Sequence, residues 1–451
     1  MSLIALAYLS CSIALQPIQE SSQAAEQAPI RDSPPRTAGI SEPRPYFKPE
    51  VPDALSRTEL LNLAIILDLS EAQLSALDSL IERYKEQMLR FKATDVDPLI
   101  ERSMDIHELD VLSDQTAAQL MAEWLLDCEK SATKAESHVD SLLVDLSAVL
   151  AEGQLQSLSR VRNVRVRQSA TLQADAFPAA DMDVYLLTLD ASRDYGLGGI
   201  PSTEEVKEIF DSYDSQSAAL ARARIRGATK RSCGFYVAMA DAYQEWLRAP
   251  SERDRIRTHR EEQKRKATKP LIDSLKGMRR LNEQTIDLLE ERIPKEVHTA
   301  ISNRFRNSAF PYTFPNPYDI GGLLSSATKS IAPLTEEPAI DIVREWYHAT
   351  EEVLREMESL DIKWQLRLIE SRGVNGNELA SFQRAMRSLD NQRRELTKRA
   401  LSQLEVLVPD SMAESFKNLS DAHHERSRAI LHDRVARSDD GEPWPAAILS
   451  R

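Results

Sequence analysis

The chain has 451 residues, of which 42% are hydrophobic, 28% are charged and only 6% are aromatic. Its length has room for two to four domains, and its 13 glycines are few for an α/β enzyme with Gly-rich turns. The net charge of −14 disfavours general nucleic-acid binding. This profile is typical of long amphipathic helices, and it predicts an all-α fold.

Residues 3–15 form an apolar run that is too short to span a bilayer comfortably and is similar to the hydrophobic part of a signal peptide. We therefore expect residues 1–16 to be a signal peptide and the protein to be exported to the periplasm or cell envelope, although no Lys or Arg precedes the run. Cleavage, lipidation at Cys11 and retention as an anchor are all compatible with these residues. No integral membrane span is expected in the mature chain. Residues 17–55, rich in Pro, Ser, Gln and Ala, are predicted to be a disordered spacer.

A well-marked helix start follows the spacer. Ser70 and Gln73 have the S-x-x-Q spacing of a capping box, and Leu69 and Leu74 are placed as a hydrophobic staple. The apolar stripe that follows predicts one helix over 69–91. A shorter helix is predicted before it, from Thr58 to Leu67.

Degenerate copies of this start recur along the chain and predict three divergent helical-hairpin repeats. The copies stand at 150–154, 293–297, 334–338 and 408–412, and Ser202 and Glu205 form a further capping box. Two predicted linkers share the string Tyr-x-(Leu/Ile)-Gly-Gly-(Ile/Leu), which amphipathic helices do not require. The predicted boundaries are repeat 1 at 56–169, a linker at 170–199, repeat 2 at 200–309, a linker at 310–333, repeat 3 at 334–425 and a flexible tail at 426–451.

Within the repeats we expect long amphipathic helices that pack in coiled-coil-like seams. In repeat 1 a loop is expected at 95–98, followed by one long helix from Asp114 to Leu150. Four tryptophans lie on apolar helix faces and are expected in the seams, although an exposed one would suit client binding: Trp124, Trp246, Trp346 and Trp364.

The clearest candidate binding feature is a basic stretch. Residues 248–280 hold 12 Lys and Arg against 5 Asp and Glu. Such a stretch suits phosphate, an acidic partner or a membrane surface, or it pairs as a solvated helix with the acidic surface of another repeat. The absence of aromatic residues within it disfavours nucleic acid. The candidate partner-binding residues are Arg253, Arg255, Arg257, Arg260, Lys264, Arg265 and Lys266.

Neither a catalytic nor a metal-binding pattern stands out, and we expect neither enzymatic activity nor a cofactor. His423, His424 and Glu425 with His432 are the densest potential ligands, but His424 and His432 are two helical turns apart and are expected on solvated surface. Residues 195–199 are expected to form a turn, since neither a leading strand nor a following Lys-Ser/Thr marks a phosphate loop. Cys128 and Cys233 either pair in an oxidising compartment or serve as two separate apolar thiols.

The string Leu69–Gln73 resembles the L-T-x-x-Q motif of the CpxP/Spy family of periplasmic helical proteins. The matching residues are Leu69, Ser70 (for Thr), Gln73, Leu150, Gln154, Leu334 and Thr335. The chain departs from the motif at Ala151, which replaces Thr, and at Val297, Pro338 and Met412, which replace Gln. It is also several times longer than those proteins, and it is acidic.

The resemblance implies a function as well as a fold. Proteins of that family are cradle-shaped helical dimers that bind misfolded proteins or a sensor kinase in envelope stress. The present chain is accordingly expected to be an exported, non-enzymatic binding protein, such as an ATP-independent envelope chaperone, with protein clients or copies of itself as partners. The alternative is a structural or scaffold coiled-coil protein of the cell envelope.

Overall fold

The computed structural model describes residues 54–108, 114–173, 177–316, 318–321, 323, 337–371 and 376–439. These residues form α-helices and short helical turns without any β-strand, so the predicted all-α class is confirmed. The α-helices run in the order α1 Arg57–Ile66, α2 Glu71–Phe91, α3 Asp97–Glu108, α4 Asp114–Ser147, α5 Glu152–Leu155, α6 Leu158–Gln173, α7 Pro178–Asp181, α8 Val184–Asp194, α9 Glu204–Arg248, α10 Arg253–Leu289, α11 Lys295–Ala309, α12 Glu337–Ser371, α13 Gly376–Leu407 and α14 Ala413–Asp439.

The first two helices begin at capping boxes. Ser56 caps α1 with Glu59, and Ser70 caps α2 with Gln73 as predicted. In α2 the residues spaced three or four apart from Leu77 to Phe91 are buried, which confirms the predicted apolar stripe except at Leu89, which is 68% exposed. Leu69 and Leu74 are partly buried against the same core.

The loop predicted at 95–98 is wrong. A widened helical turn, Lys92–Val96, leads directly from α2 into α3. Asp95 is held in place by Lys134 of α4 at 2.8 Å and by the hydroxyl of Thr94, which also bonds back to a carbonyl of α2. Pro98 is the second residue of α3, and because it has no N–H, one helical hydrogen bond is missing next to the widened turn.

The glutamines of the first two motif copies bind each other. The Gln73 amide donates to the Gln154 side chain at 2.8 Å and to the carbonyl of Val149 at 2.9 Å. Gln154 in turn donates to the carbonyls of Leu67 and Asp68 at the end of α1. Each glutamine therefore caps its own helix and also satisfies the chain end beside the other copy.

Helices α9 and α10 form a long antiparallel hairpin, which we call the central hairpin. With 45 residues, α9 is about 67 Å long. The two helices touch backbone to backbone: a Cβ placed on Gly227 would lie 2.8 Å from the Cα of Leu271, and one on Gly234 would lie 2.3 Å from the Cβ of Ala267. Glycine at these two positions sets the close spacing of the hairpin.

The prediction of a linker over 170–199 is wrong for residues 177–194, which belong to the hydrophobic core. Phe177 and Val184 are completely buried, and α7 and α8 pack against the central hairpin and α11. The capping box predicted at Ser202 is also displaced, because Thr203 caps α9 by accepting from the N–H of Val206.

The last two long helices, α12 and α13, pack against each other and join the rest at several points. Arg231 of α9 donates to the carbonyl of Ile369 at 3.2 Å, and Arg306 of α11 binds Glu358 at 2.8 Å. The described residues form one compact unit, and the threefold repetition stays a prediction. Tyr347 lies 13 residues after Leu334, as Tyr213 lies 13 residues after Ile200. Tyr213 is buried but Tyr347 is 48% exposed, and the neighbouring Trp346 is buried instead.

The C-terminal tail begins later than predicted. Helix α14 continues through Asp439, thirteen residues past the predicted boundary at 426. Ser427, on the far side of that boundary, is buried. The predicted signal peptide, almost all of the spacer, Leu334 and Thr335 lie outside the described residues.

Candidate functional site

The central hairpin ends in a tight turn, and residues 239–266 around it are called the hairpin tip. Helix α9 stops at Arg248 because Ala249 precedes Pro250, which disfavours helical backbone at Ala249. One 3₁₀ turn, Pro250–Glu252, then reverses the chain, and α10 begins at Arg253. The predicted basic stretch, 248–280, therefore spans the end of α9, this turn and most of α10, and the seven candidate partner-binding residues lie in the first half of α10.

Three large apolar side chains are exposed on the α9 side of the tip. Tyr243 is 52% exposed, Trp246 is 46% exposed and Leu247 is 51% exposed. The rings of Tyr243 and Trp246 stack with their centroids 6.2 Å apart. Trp124, Trp346 and Trp364 are buried as predicted, whereas Trp246 is the exposed exception. Adjacent exposed aromatic and aliphatic groups are typical of a binding surface.

The predicted basic residues surround α10 instead of forming one face. At about 100° per residue, Arg255 and Lys266 lie on the side opposite Arg253 and Lys264. Arg260 and Lys264 are half-buried against α9, where Arg260 contacts the Met239 sulfur at 3.7 Å and Lys264 lies over the Phe235 ring. The other five are exposed.

Acidic residues of the tip neutralise only part of this charge. Glu261 pairs with Arg260 at 3.1 Å and with Lys264 at 3.6 Å, and Glu252 pairs with Arg255. Four cations have no carboxylate within ion-pair distance in the described part of the chain: Arg253, Arg257, Arg265 and Lys266. The tip thus combines exposed aromatic groups with unneutralised positive charge.

Sequence reasoning missed a second cluster, which we call the interior charge network. Arg167 of α6 binds Asp183 at 2.7 Å and Asp214 of α9 at 2.8 Å. Arg160 binds the other oxygen of Asp214 at 2.7 Å. A separate pair joins Arg224 of α9 to Asp181 of α7 at 2.5 Å. These contacts attach α6 and the 177–194 segment to the central hairpin.

The network shifts the ionisation of its members. Burial alone would lower the pKa of Arg167, but Asp183 and Asp214 outweigh it and hold that pKa above the ordinary value. Burial raises the pKa of the Asp214 carboxyl, opposed by its two arginines. Burial also raises the pKa of Tyr213, whose hydroxyl donates to Asn282 at 3.1 Å.

The interior charge network has the residue types of an active site but no room for a substrate. The cavity beside it measures about 30 Å³, which fits a water molecule. Its three arginines are balanced by three buried or half-buried aspartates, and Arg160 also pairs with the exposed Asp211. The cluster therefore links helices. A signal was present in Arg160-Val-Arg-Asn-Val-Arg-Val-Arg167: its three valines point to different sides of the helix, so burying all three also buries some of the arginines between them. Arg165 and Arg167 are buried, whereas Arg162 is exposed.

The predicted histidine cluster is a helix surface as far as it is described. His423 is half-buried, and burial together with His424 lowers its pKa. His432 has its side chain outside the described residues. Among residues that are described, no three His, Cys, Asp or Glu converge on a metal position.

Two further predictions concern the glycine-rich turn and the two cysteines. Residues 195–199 form a turn after α8, with Gly196 and Gly198 at φ of 75° and 71°, which only glycine adopts without strain. Cys128 and Cys233 are both buried in one apolar cluster, and within the described residues they are not joined to each other.

None of the described helices is long and apolar enough to cross a membrane. The chain matches no family model, no curated protein and no solved structure. The resemblance to the CpxP/Spy family therefore remains a prediction carried by the motif residues.

Proposed function

We propose that this protein is an exported, non-enzymatic binding protein that holds unfolded or acidic protein segments at the hairpin tip without using ATP. The observation that carries this proposal is the exposed group Tyr243, Trp246 and Leu247 beside cations that lack acidic partners. Unfolded chains expose apolar side chains, and aromatic residues with Arg are the groups that bind such chains most strongly.

Charge supports the choice of an acidic client. The whole chain carries a net charge of −14, yet residues 248–280 hold 12 basic against 5 acidic residues. An acidic segment is repelled by most of the molecule and attracted to this one region. Electrostatic steering of this kind raises association rates and weakens as salt screens the charges.

The contrast between the acidic chain and its basic hairpin tip also supports the alternative of a self-associating scaffold. The basic tip of one copy would bind the acidic surface of another, and the long central hairpin would act as a spacer. This reading replaces the first if the protein forms ordered assemblies and leaves client aggregation unchanged.

The test is aggregation of an acidic unfolded client, reduced α-lactalbumin, with excess protein lacking residues 1–16 and no nucleotide. We expect suppression of aggregation by the unaltered protein. The triple variant Tyr243→Ser, Trp246→Ser and Leu247→Ser should lose most of it. Reversal of Arg253, Arg257 and Arg265 to Glu should weaken it several-fold at low salt and less at high salt.

The control variants use exposed residues of the same chemical types elsewhere. Val406→Ser removes an apolar side chain that is 84% exposed on α13, and Arg387→Glu reverses an exposed cation on the same helix. Equal suppression by tip and control variants would exclude the hairpin tip as the client site.

A further inference from the structure

A groove runs between α4 and α9, away from the hairpin tip. The two helices are antiparallel and touch at both ends of the groove: Trp124 packs near Cys233 at one end, and Glu136 pairs with Arg222 at 3.6 Å at the other. Between these contacts the facing residues Ala132, Thr133 and Thr229 are small, so the helices leave space. The resulting cavity measures about 240 Å³ and is open to solvent.

The floor of the groove is apolar. Leu125, Cys128 and Ala132 line it from α4, and Ile225 lines it from α9. A cavity with apolar walls and a few placed polar groups is the usual form of a small-molecule site. Its volume lies just below the usual range for drug-sized ligands, which points to a small ligand.

The α9 wall carries a row of cations. Arg222, Arg226 and Lys230 follow one another at four-residue spacing and so lie on one face of α9. Glu136 pairs with Arg222, but Arg226 and Lys230 have no carboxylate within ion-pair distance in the described part of the chain. The uncharged Thr133 stands on the opposite wall near the middle of the groove, with its hydroxyl bonded to the carbonyl of Glu129.

We propose that the α4–α9 groove binds a small organic anion with a short apolar chain. The anionic head, a carboxylate or a phosphate ester, binds Arg226 and Lys230. The chain lies over Leu125, Ala132 and Ile225. Glu129 also lines the groove. The site shares no residue with the hairpin tip, so it is independent of client binding.

The test is isothermal titration calorimetry of the purified protein with four probes. Octanoate and octyl phosphate carry both an anionic head and an apolar chain, inorganic phosphate carries an anionic head alone, and octyl glucoside carries the chain with an uncharged head. We expect one saturable site for octanoate, octyl phosphate or both, and at least tenfold weaker binding of the two partial probes. The ratio of the first two affinities identifies the head group.

Variants then locate the site. Arg226→Gln with Lys230→Gln should weaken binding at least tenfold and leave the thermal melt unchanged, because both side chains are exposed. Ala132→Phe should fill the cavity with the same effect on binding. The matched control, Arg257→Gln with Lys266→Gln at the hairpin tip, should bind as the unaltered protein does.

Three results would overturn the proposal. They are the absence of saturable binding by either amphiphilic anion, equal affinity for octyl glucoside, and full affinity in the Arg226 and Lys230 double variant. If Ala132→Phe unfolds the protein, the double variant alone decides, since its two residues make no contact that the fold depends on.

Discussion

Arg160 illustrates how burial decides what an ion pair contributes. Its guanidinium binds two carboxylates of α9, Asp211 at 2.6 Å and Asp214 at 2.7 Å. The Asp211 side chain is 59% exposed, whereas that of Asp214 is 4% exposed. Water already solvates the first carboxylate, but the second depends on Arg160 and Arg167 for all compensation of its lost hydration.

We therefore expect Asp214→Asn to destabilise the protein by about 3–5 kcal/mol, since it leaves the charge of Arg167 buried with one partner fewer. Asp211→Asn, three residues away on the same helix, should cost no more than about 1 kcal/mol. Urea unfolding of the two variants measures both values. Similar costs at the two positions would show that Arg167 does not depend on Asp214.

Single residues were predicted from the sequence where their role is local. Ser70 and Gln73 form their capping box within one helical turn, so four residues of sequence contain the whole interaction. The bond from Gln73 to Gln154 joins residues 81 positions apart, and only the packing of α2 beside α5 brings them together. The interior charge network was not predicted either, because its ion pairs also join residues that are distant in the sequence.

At the scale of helices, periodic apolar residues predicted α2 and α4 with ends close to those observed. The same signal failed at 177–194, because α7 has only four residues and the buried face of α8 includes the polar residues Thr188 and Ser192. The apolar period also did not distinguish the buried part of the apolar face of α9 from its exposed part. Tyr236 is 4% exposed and Tyr243 is 52% exposed, two turns apart, and both fit the apolar pattern.

Only the basic residues of the hairpin tip were accordingly predicted from the sequence. Its cations were visible because charge density needs no tertiary information. The exposure of Tyr243, Trp246 and Leu247 was not predicted, because it depends on where the neighbouring helices end. A sequence pattern records which face of α9 is apolar but not how much of that face other helices cover.

The central hairpin offers an element-scale prediction through Gly234. A methyl group there would meet the Ala267 side chain at 2.3 Å, so Gly234→Ala must push α9 and α10 apart. We expect a loss of about 1–3 kcal/mol in thermal or urea unfolding, despite the better helix propensity of Ala.

Gly153→Ala is the matched control for Gly234→Ala. Gly153 lies in the short helix α5, and a methyl group there would meet nothing within 4 Å. Because its backbone does not need glycine, this substitution should be neutral or stabilising by up to about 1 kcal/mol. Destabilisation by Gly153→Ala equal to that by Gly234→Ala would show that the contact between Gly234 and Ala267 is not the cause.

At the scale of the whole molecule, α6 connects regions that the sequence divides into separate repeats. Arg165 pairs with Glu59 of α1, inside the predicted first repeat. Arg160 and Arg167, on the same helix, pair with α9 in the second. Val164 and Val166 are buried in the core that contains the central hairpin. Helix α6 thus packs in both predicted repeats.

A fragment ending at residue 176 should therefore fold poorly although it contains the whole predicted first repeat. It would expose Val164 and Val166 and leave Arg167 without either aspartate. We expect a helical fragment by circular dichroism that melts without a cooperative transition, whereas a fragment extended to residue 310 melts cooperatively. The second fragment restores α7 to α11 and with them every partner of Arg167. A sharp transition in the shorter fragment, at the temperature of the longer one, would show that the first repeat is an independent domain and that the contacts of α6 with α9 add little to its stability.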